Sequence, residues 1–207
     1  MSQKIISSVS PEFARAFKLP EGHQSVGFFS TDNDDVGYLA ADDASKKANI
    51  KVIHAETFYG GSRCAWSKYG GTVFIMFSGP RVEDVKSGMA YVRDFIENQS
   101  ALFSFDGDEG TAYYAQCIPR AGKYFQEWLG IEPGRAYAYL VGGPIETNYA
   151  LDKALKAGAT RIAIYWAPPT NANSSGAVLT GTESACRAAT EAFIDALQSA
   201  TEHPLEV

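Results

Sequence analysis

The chain has 207 residues, of which 45% are hydrophobic, 13% aromatic and 20% charged. These proportions are typical of a folded protein with one or two domains and exclude a disordered or collagen-like chain. Acidic residues outnumber basic residues by 24 to 18, which gives a net charge of −6. Because nucleic-acid binding needs a basic surface, this charge argues against a nucleic-acid partner and favours small cations or neutral solutes.

No stretch reaches the roughly 18 consecutive apolar residues of a membrane span, and the N-terminus lacks the apolar core of a signal peptide. We therefore expect a cytoplasmic protein with no membrane partner. Cys64, Cys117 and Cys186 are odd in number and too widely spaced for a CxxC motif. Their pattern excludes a disulfide framework and a cysteine metal motif, so we expect reduced thiols.

Hydrophobic periodicity predicts one succession of elements twice: strand, short helix, strand, helix, strand, strand and long helix. The predicted strands lie near residues 4–9, 25–29, 50–56, 72–77, 112–118, 135–141, 161–167 and 176–180. The spacing of apolar residues predicts long amphipathic helices over 81–98 and 183–200. A further helix is predicted near 145–157, with Gly158 as its C-terminal stop.

The chain also repeats itself in sequence. An offset of 110 aligns Asp42 and Lys46 with Asp152 and Lys156, and an offset of 102 aligns the segment ending at Gly79 with the segment ending at Gly181. The first copy therefore has eight more residues in the intervening loop. We predict two tandem α+β domains, residues 1–104 and 105–207, each with a four-stranded, mainly antiparallel sheet flanked by helices. Such a duplication favours pseudo-twofold packing and rings of chains.

Motifs for common catalytic chemistries are absent from the sequence. The three histidines form no HExxH or Cys/His pattern, which argues against a zinc enzyme. The chain also lacks GxGxxG, Walker A and GxSxG motifs. We therefore expect no enzyme, no catalytic residues and no metal site, and we interpret His54, in a predicted strand, as structural.

An acidic segment follows the second predicted strand, with carboxylates at Asp32, Asp34 and Asp35. It matches a calcium loop at positions 1, 3 and 6 but not at position 5, Val36, or position 12, Asp43. We expect either Asp34 or Asp35 to cap the following helix. Three carboxylates exceed the need of one cap, so a second hypothesis is attraction of a cationic or hydroxylated small molecule.

Two long loops occupy the same place in the two copies, at 58–72 and 167–176, between the third and fourth strands. Loops of this length are either functional or mobile, and a pair of them suits a gate. In contrast, Tyr113, Tyr114, Tyr137 and Tyr139 fall in predicted strands, where we expect them to pack in the core.

Several blocks of sequence, in order, carry a resemblance to a known family. The blocks are Ile5–Glu12, Asp32–Val36, Ala41–Lys46, Tyr113–Cys117, Tyr139–Val141 followed by Pro144 and Glu146, and Leu179–Gly181 leading to Ala185–Arg187. Over its whole length the chain resembles the tandem-domain bacterial microcompartment shell proteins of the ethanolamine-utilisation type.

The resemblance implies two circularly permuted, ferredoxin-like domains, and three chains in a flat pseudohexameric disc that tiles with other shell proteins. It implies small pores near Asp32, Asp34 and Asp35 for metabolites such as ethanolamine. It also implies a gated central pore bordered by loop residues. These correspond to Tyr59, Gly60, Gly61, Ser62, Arg63, Cys64, Trp66, Asn171 and Asn173. The family has been associated with cobalamin, although no resident cofactor is expected.

The central-pore loops depart from the family pattern. Residues 64–69 replace a small stretch rich in glycine and proline, and Asn171 stands where an acid is expected. The encapsulated pathway could therefore use ethanolamine or a related amine or alcohol such as choline. An alternative from another class is a sensor or redox conduit in which Cys64 from three chains holds a metal or iron–sulfur centre at the trimer axis. Three thiolates are one short of the usual four.

Overall fold

A computed structural model of the chain describes residues 1–58, 72–105, 112–170 and 173–205. The chain divides into two compact units. The first contains Met1–Ser100 together with Gly122–Tyr124, and the second contains Ala101–Ala121 and Phe125–Val207. The domain boundary between residues 104 and 105 remains a prediction.

The first unit is an antiparallel sheet with helices. Its elements are β1 (Ser2–Ile6), α1 (Pro11–Ala16), β2 (Ser25–Thr31), α2 (Asp34–Lys47), β3 (Lys51–Thr57), β4 (Val73–Gly79), α3 (Val82–Asp94) and a π-helical turn (Phe95–Gln99). The strands pair in the order β1-β2-β4-β3. The two central strands, β2 and β4, are almost wholly buried, since they contribute Val26, Phe29, Ile75 and Phe77 to the core.

The second unit repeats this arrangement. Its elements are β5 (Phe103–Ser104), β6 (Ala112–Ile118), α4 (Lys123–Leu129), β7 (Ala136–Gly142), α5 (Pro144–Ala157), β8 (Arg161–Trp166), β9 (Ser175–Gly181) and α6 (Glu183–Glu202). The strands pair in the order β5-β6-β7-β9-β8. The core contains Leu140, Leu179, Phe193 and Leu197, which belong to the central strands and α6.

The internal duplication extends to the register of the sheets. The order β6-β7-β9-β8 is the order β1-β2-β4-β3 of the first unit, and every pair is antiparallel. Both outer strands shift register at equivalent places, between Val52 and His54 in β3 and between Ile162 and Ile164 in β8. A one-residue change of register turns the side chains of a strand to the opposite face of the sheet. Because β3 and β8 change register at equivalent residues, the same positions of the repeat face the core in both units.

The predicted fold class is confirmed, with differences at the edges. The second sheet has a fifth strand, the two-residue β5, which the sequence did not indicate because it is too short to show alternation. The first strand is shifted to Ser2–Ile6. Ser10, which follows it, caps α1, its Oγ accepting from the Phe13 N–H at 3.2 Å. The helix predicted over 81–98 changes to a π-helical turn at Phe95.

The predicted packing of the strand tyrosines is confirmed. Tyr114, Tyr137 and Tyr139 are buried in the second unit, and Tyr113 packs against its core. Burial of three aromatic side chains supplies a large share of the apolar contact area in this unit. Within the described ranges, no helix is both long and apolar enough to cross a membrane.

Candidate functional site

The acidic segment lies where β2 ends and α2 begins. Thr31, the last residue of β2, is buried and its Oγ1 donates to Asp32 Oδ1 at 3.1 Å. Asp32 is exposed, whereas Asp34 and Asp35 are partly buried in the first turn of α2. The turn from strand to helix thus holds the three carboxylates together at one end of the first unit.

The cap of α2 is not an aspartate. Asn33 is the N-cap, and its Oδ1 accepts from the Val36 N–H at 2.8 Å. Our expectation that Asp34 or Asp35 caps the helix is wrong, because helical geometry begins at Asp34 itself. Both carboxylates are instead at the positive end of the helix dipole, which stabilises negative charge. The Asp34 Oδ1 accepts from the Asp35 N–H at 3.2 Å.

A tyrosine one turn further along α2 lies beside this segment. The Tyr38 hydroxyl is 2.8 Å from Thr57 Oγ1 at the end of β3. Burial raises the pKa of Tyr38, and the negative charges of Asp34 and Glu56 raise it further. Tyr38 is therefore a neutral hydroxyl at physiological pH, positioned next to the carboxylates. The combination of carboxylates and hydroxyls suits a ligand that carries both a cation and a hydroxyl group.

Residues 122–124 belong to the first unit and are hydrogen-bonded to α2. The Gly122 N–H donates to Asp42 Oδ2 at 2.9 Å, and the Tyr124 N–H donates to Ser45 Oγ at 3.2 Å. A Cβ at Gly122 would lie 2.2 Å from the Asp42 carbonyl oxygen, so only glycine fits there. Burial raises the pKa of Tyr124, and Tyr38 contributes to the shift. This short segment brings a second buried phenol into electrostatic contact with Tyr38.

The site therefore has more members than the sequence suggested. Tyr38, Glu56, Thr57 and Tyr124 were missed. Tyr38 could have been found, because a residue four positions after Asp34 lies on the same face of a helix. No sequence signal indicates the other three, since strand pairing and the approach of residues 122–124 bring them in.

Most of the predicted central-pore residues lie outside the described ranges. These are Tyr59, Gly60, Gly61, Ser62, Arg63, Cys64, Trp66 and Asn171. Asn173 is described and has a φ of 53°, a left-handed conformation that asparagine tolerates better than most residues. Its N–H donates to the Thr170 carbonyl oxygen at 3.2 Å. Among the described residues, no group of three His, Cys, Asp or Glu side chains could hold a metal ion.

Comparison with known proteins places this fold in a family. The model of the BMC domain matches residues 25–105. The bacterial microcompartment shell protein EutL of Clostridium perfringens is 44% identical over 205 residues, which cover 99% of this chain and 94% of that protein. The chain belongs to the EutL family of bacterial microcompartment shell proteins. EutL of Escherichia coli is 38% identical over the same shares of the two chains.

A solved structure in the EutL family has the same fold over the whole chain. The crystal structure of the ethanolamine utilization protein EutL from Leptotrichia buccalis superimposes with a TM-score of 0.92 at 42% identity. The match covers 100% of this chain and 95% of the other. The resemblance inferred from the sequence blocks is thereby confirmed, and nothing in these comparisons favours the redox-conduit alternative.

Proposed function

We propose that the chain is a structural tile in the shell of an ethanolamine-utilisation microcompartment in the bacterial cytoplasm, without catalytic activity. The observation that carries this proposal is its membership of the EutL family over 99% of its length. The duplicated fold supports it, because two units with the same strand order and register let one chain supply two similar building units to a ring. Three such chains would form a pseudohexagonal disc that tiles with other shell proteins.

The assembly is tested by the mass of the protein in solution. A trimer has a mass of about 67 kDa, three times the 22.4 kDa of the chain. We expect native mass spectrometry and light scattering to give this mass at micromolar concentration. A stable monomer under dilute native conditions would contradict the proposal.

We further propose that Asp32, Asp34 and Asp35 border small pores that select a cationic, hydroxylated metabolite such as ethanolamine. The carboxylates attract the ammonium group and repel anionic metabolites, and the Tyr38 hydroxyl beside them suits the alcohol. The loops at 58–72 and 167–176 would border the central pore and gate it. Cobalamin association stays a prediction, which equilibrium dialysis of the purified protein would test.

The acidic segment can be tested with Asp34→Asn combined with Asp35→Asn. The cap at Asn33 remains, and the dipole interaction of each first-turn carboxylate is worth about 0.3–1 kcal/mol, so the double variant should stay folded. We expect an intact trimer that binds ethanolamine at least fivefold more weakly in a calorimetric titration at low salt. The wild-type affinity should fall as salt screens the exposed charges.

The matched control is Glu191→Gln combined with Asp195→Asn, two exposed carboxylates of α6. It changes the net charge by the same amount and should leave ethanolamine binding unchanged. Equal affinities of the wild type and the Asp34/Asp35 variant would reject the pore role. Equal weakening by both variants would show that total charge, and not this segment, attracts the ligand.

A further inference from the structure

A cavity of about 370 Å³ lies in the second unit, where strand ends meet the start of α6. Its charged and polar lining residues are Glu132, Arg135, Thr160, Arg161, Thr180 and Thr182. This volume lies within the range of small-molecule sites. The two arginines carry the guanidinium donors that bind phosphate and carboxylate groups. The hydroxyls of Thr160 and Thr180 already donate to the Gly158 and Ala136 carbonyl oxygens, so they contribute to the lining without being donors to a ligand.

The register of the sheet places the arginines on both sides of β9. Arg161, the first residue of β8, pairs with Thr180 near the end of β9. Arg135 immediately precedes β7, whose first residue, Ala136, pairs with Gly181 at the end of β9. The end of the central strand is thus flanked by one arginine from each neighbouring strand.

Each arginine is fixed in part by a hydrogen bond within the unit. Arg161 Nη2 donates to the Gly130 carbonyl oxygen at 2.7 Å, and Arg135 Nε donates to Glu132 Oε2 at 3.2 Å. A guanidinium has five N–H donors, and each of these bonds uses one. Since Glu132 also lines the cavity, its carboxylate offsets one of the two positive charges there.

The start of α6 adds a positive electrostatic potential to the same place. Thr182 is the N-cap of this 20-residue helix, and its Oγ1 accepts from the Ala185 N–H at 3.2 Å. The first two helical amides, of Glu183 and Ser184, have no acceptor within the helix. Such amides bind oxyanions. The Glu183 carboxylate is paired with Arg187, whose Nη2 is 2.8 Å from its Oε1.

The first unit has a carboxylate of its own at the equivalent place. Arg81 and Thr182 are the N-caps of α3 and α6, so Asp84 and Ala185 are both third helical residues. A Cβ on Gly79 would lie 3.3 Å from the Asp84 Cβ, and a Cβ on Gly181 would lie 3.6 Å from the Ala185 Cβ. The two positions therefore correspond in the fold, although the offset of 102 would align Asp84 with Cys186.

In the first unit, basic groups surround this carboxylate. Arg81 Nε and Nη2 donate to Asp84 at 3.1 and 3.0 Å, and these hydrogen bonds lower its pKa. His23 lies within electrostatic reach of both Asp84 and Lys51. Lys51 pairs with Ser78 as Arg161 pairs with Thr180. The second unit keeps the basic residue of the strand and adds Arg135, but Ala185 provides no carboxylate.

We propose that the cavity between Arg135, Arg161 and the N-terminus of α6 binds a phosphate group, from inorganic phosphate or from a phosphorylated metabolite, in place of the carboxylate that Asp84 supplies in the first unit. A phosphate offers three acceptor oxygens to the two arginines and the helix amides. The site is distinct from the acidic segment, which attracts cations.

The test is calorimetric titration of the native protein with inorganic phosphate at constant ionic strength and pH 7.5. We expect Arg161→Gln and Arg135→Gln each to weaken binding at least fivefold. Ala185→Asp introduces the carboxylate of the first unit and should weaken binding at least tenfold. Arg93→Gln, an exposed arginine of α3 outside the cavity lining, changes the net charge equally and should bind as the wild type does.

Two further arms identify the source and the chemistry of the ligand. If glycerol 3-phosphate binds more tightly than inorganic phosphate, the ligand is a phosphorylated metabolite. If it binds equally or more weakly, the ligand is free phosphate. Acetate, with one charge and two oxygens, should bind at least fivefold more weakly than phosphate. Phosphate affinity that is the same in the wild type, Arg161→Gln and Ala185→Asp would overturn the proposal, as would the absence of phosphate binding by the wild type.

Discussion

Two aspartate–lysine pairs occupy equivalent positions of the repeat but differ in burial. In α2, Lys46 Nζ lies 3.3 Å from Asp42 Oδ2, and the side chains are 10% and 0% exposed. In α5, Lys156 Nζ lies 2.5 Å from Asp152 Oδ2, and the side chains are 70% and 56% exposed. Both pairs have the same i,i+4 spacing and helical setting. The two pairs therefore compare a buried ion pair, with the contacts that accompany its burial, with an exposed one.

We expect Asp42→Ala to lower the free energy of unfolding by about 3 kcal/mol, the lower end of the range for a broken buried ion pair, because the buried Lys46 loses its nearer carboxylate but keeps Asp43 Oδ1 at 3.9 Å. It also removes the acceptor of the Gly122 N–H, so residues 122–124 lose one of their attachments to α2. Asp152→Ala breaks only an exposed pair and should cost less than about 1 kcal/mol. The gain in helix propensity from alanine is similar in both variants and does not change their difference.

Urea unfolding followed by circular dichroism, at one protein concentration for all variants, measures this difference. The double variant Asp42→Ala/Lys46→Met should recover part of the loss, since it removes the buried charge that Asp42→Ala leaves behind. Equal losses in Asp42→Ala and Asp152→Ala would refute the reasoning, because the burial of the first pair would then have no energetic consequence.

Three further predictions concern groups that are wholly or partly buried. Gly158→Ala should destabilise the protein by about 1–3 kcal/mol in the same urea assay, since its Cβ would lie 2.3 Å from the Ala185 carbonyl oxygen; an unchanged midpoint would contradict this. Burial lowers the pKa of His23 in the folded state, so as the pH falls the histidine is protonated in the unfolded state before it is protonated in the folded state. The free energy of unfolding should therefore decrease as the pH falls below about 6.5. His23→Gln should reduce that pH dependence, and identical profiles would contradict it. Burial raises the pKa of Cys186 to about 11, so iodoacetamide at pH 8 should label it only slowly, and rapid labelling in peptide maps of the native protein would disprove this.

The sequence alone determined the duplicated α+β architecture. Repeated residues at a fixed offset show two copies, and the local period of apolar residues distinguishes strand from helix, because each element must direct its own apolar side toward a core. The helix ending at Ala157 and the strand at Ala112–Ile118 were predicted to the residue. Gly158 was also correctly placed at the end of α5, but its φ is −124°, so it is needed for the close approach of α6 and not for a left-handed turn.

Only the tertiary structure decided which of the repeated charged residues are buried. The sequence shows Asp42 and Asp152 as equals, yet only Asp42 is buried, because residues 122–124 pack over it. Asn33, and not an aspartate, caps α2 because the backbone leaves β2 at Thr31 and becomes helical at Asp34. Arg135 and Arg161, 26 positions apart in sequence, flank one strand end only through the register of β7, β9 and β8. Burial and proximity of this kind depend on contacts between distant segments, which no local pattern encodes.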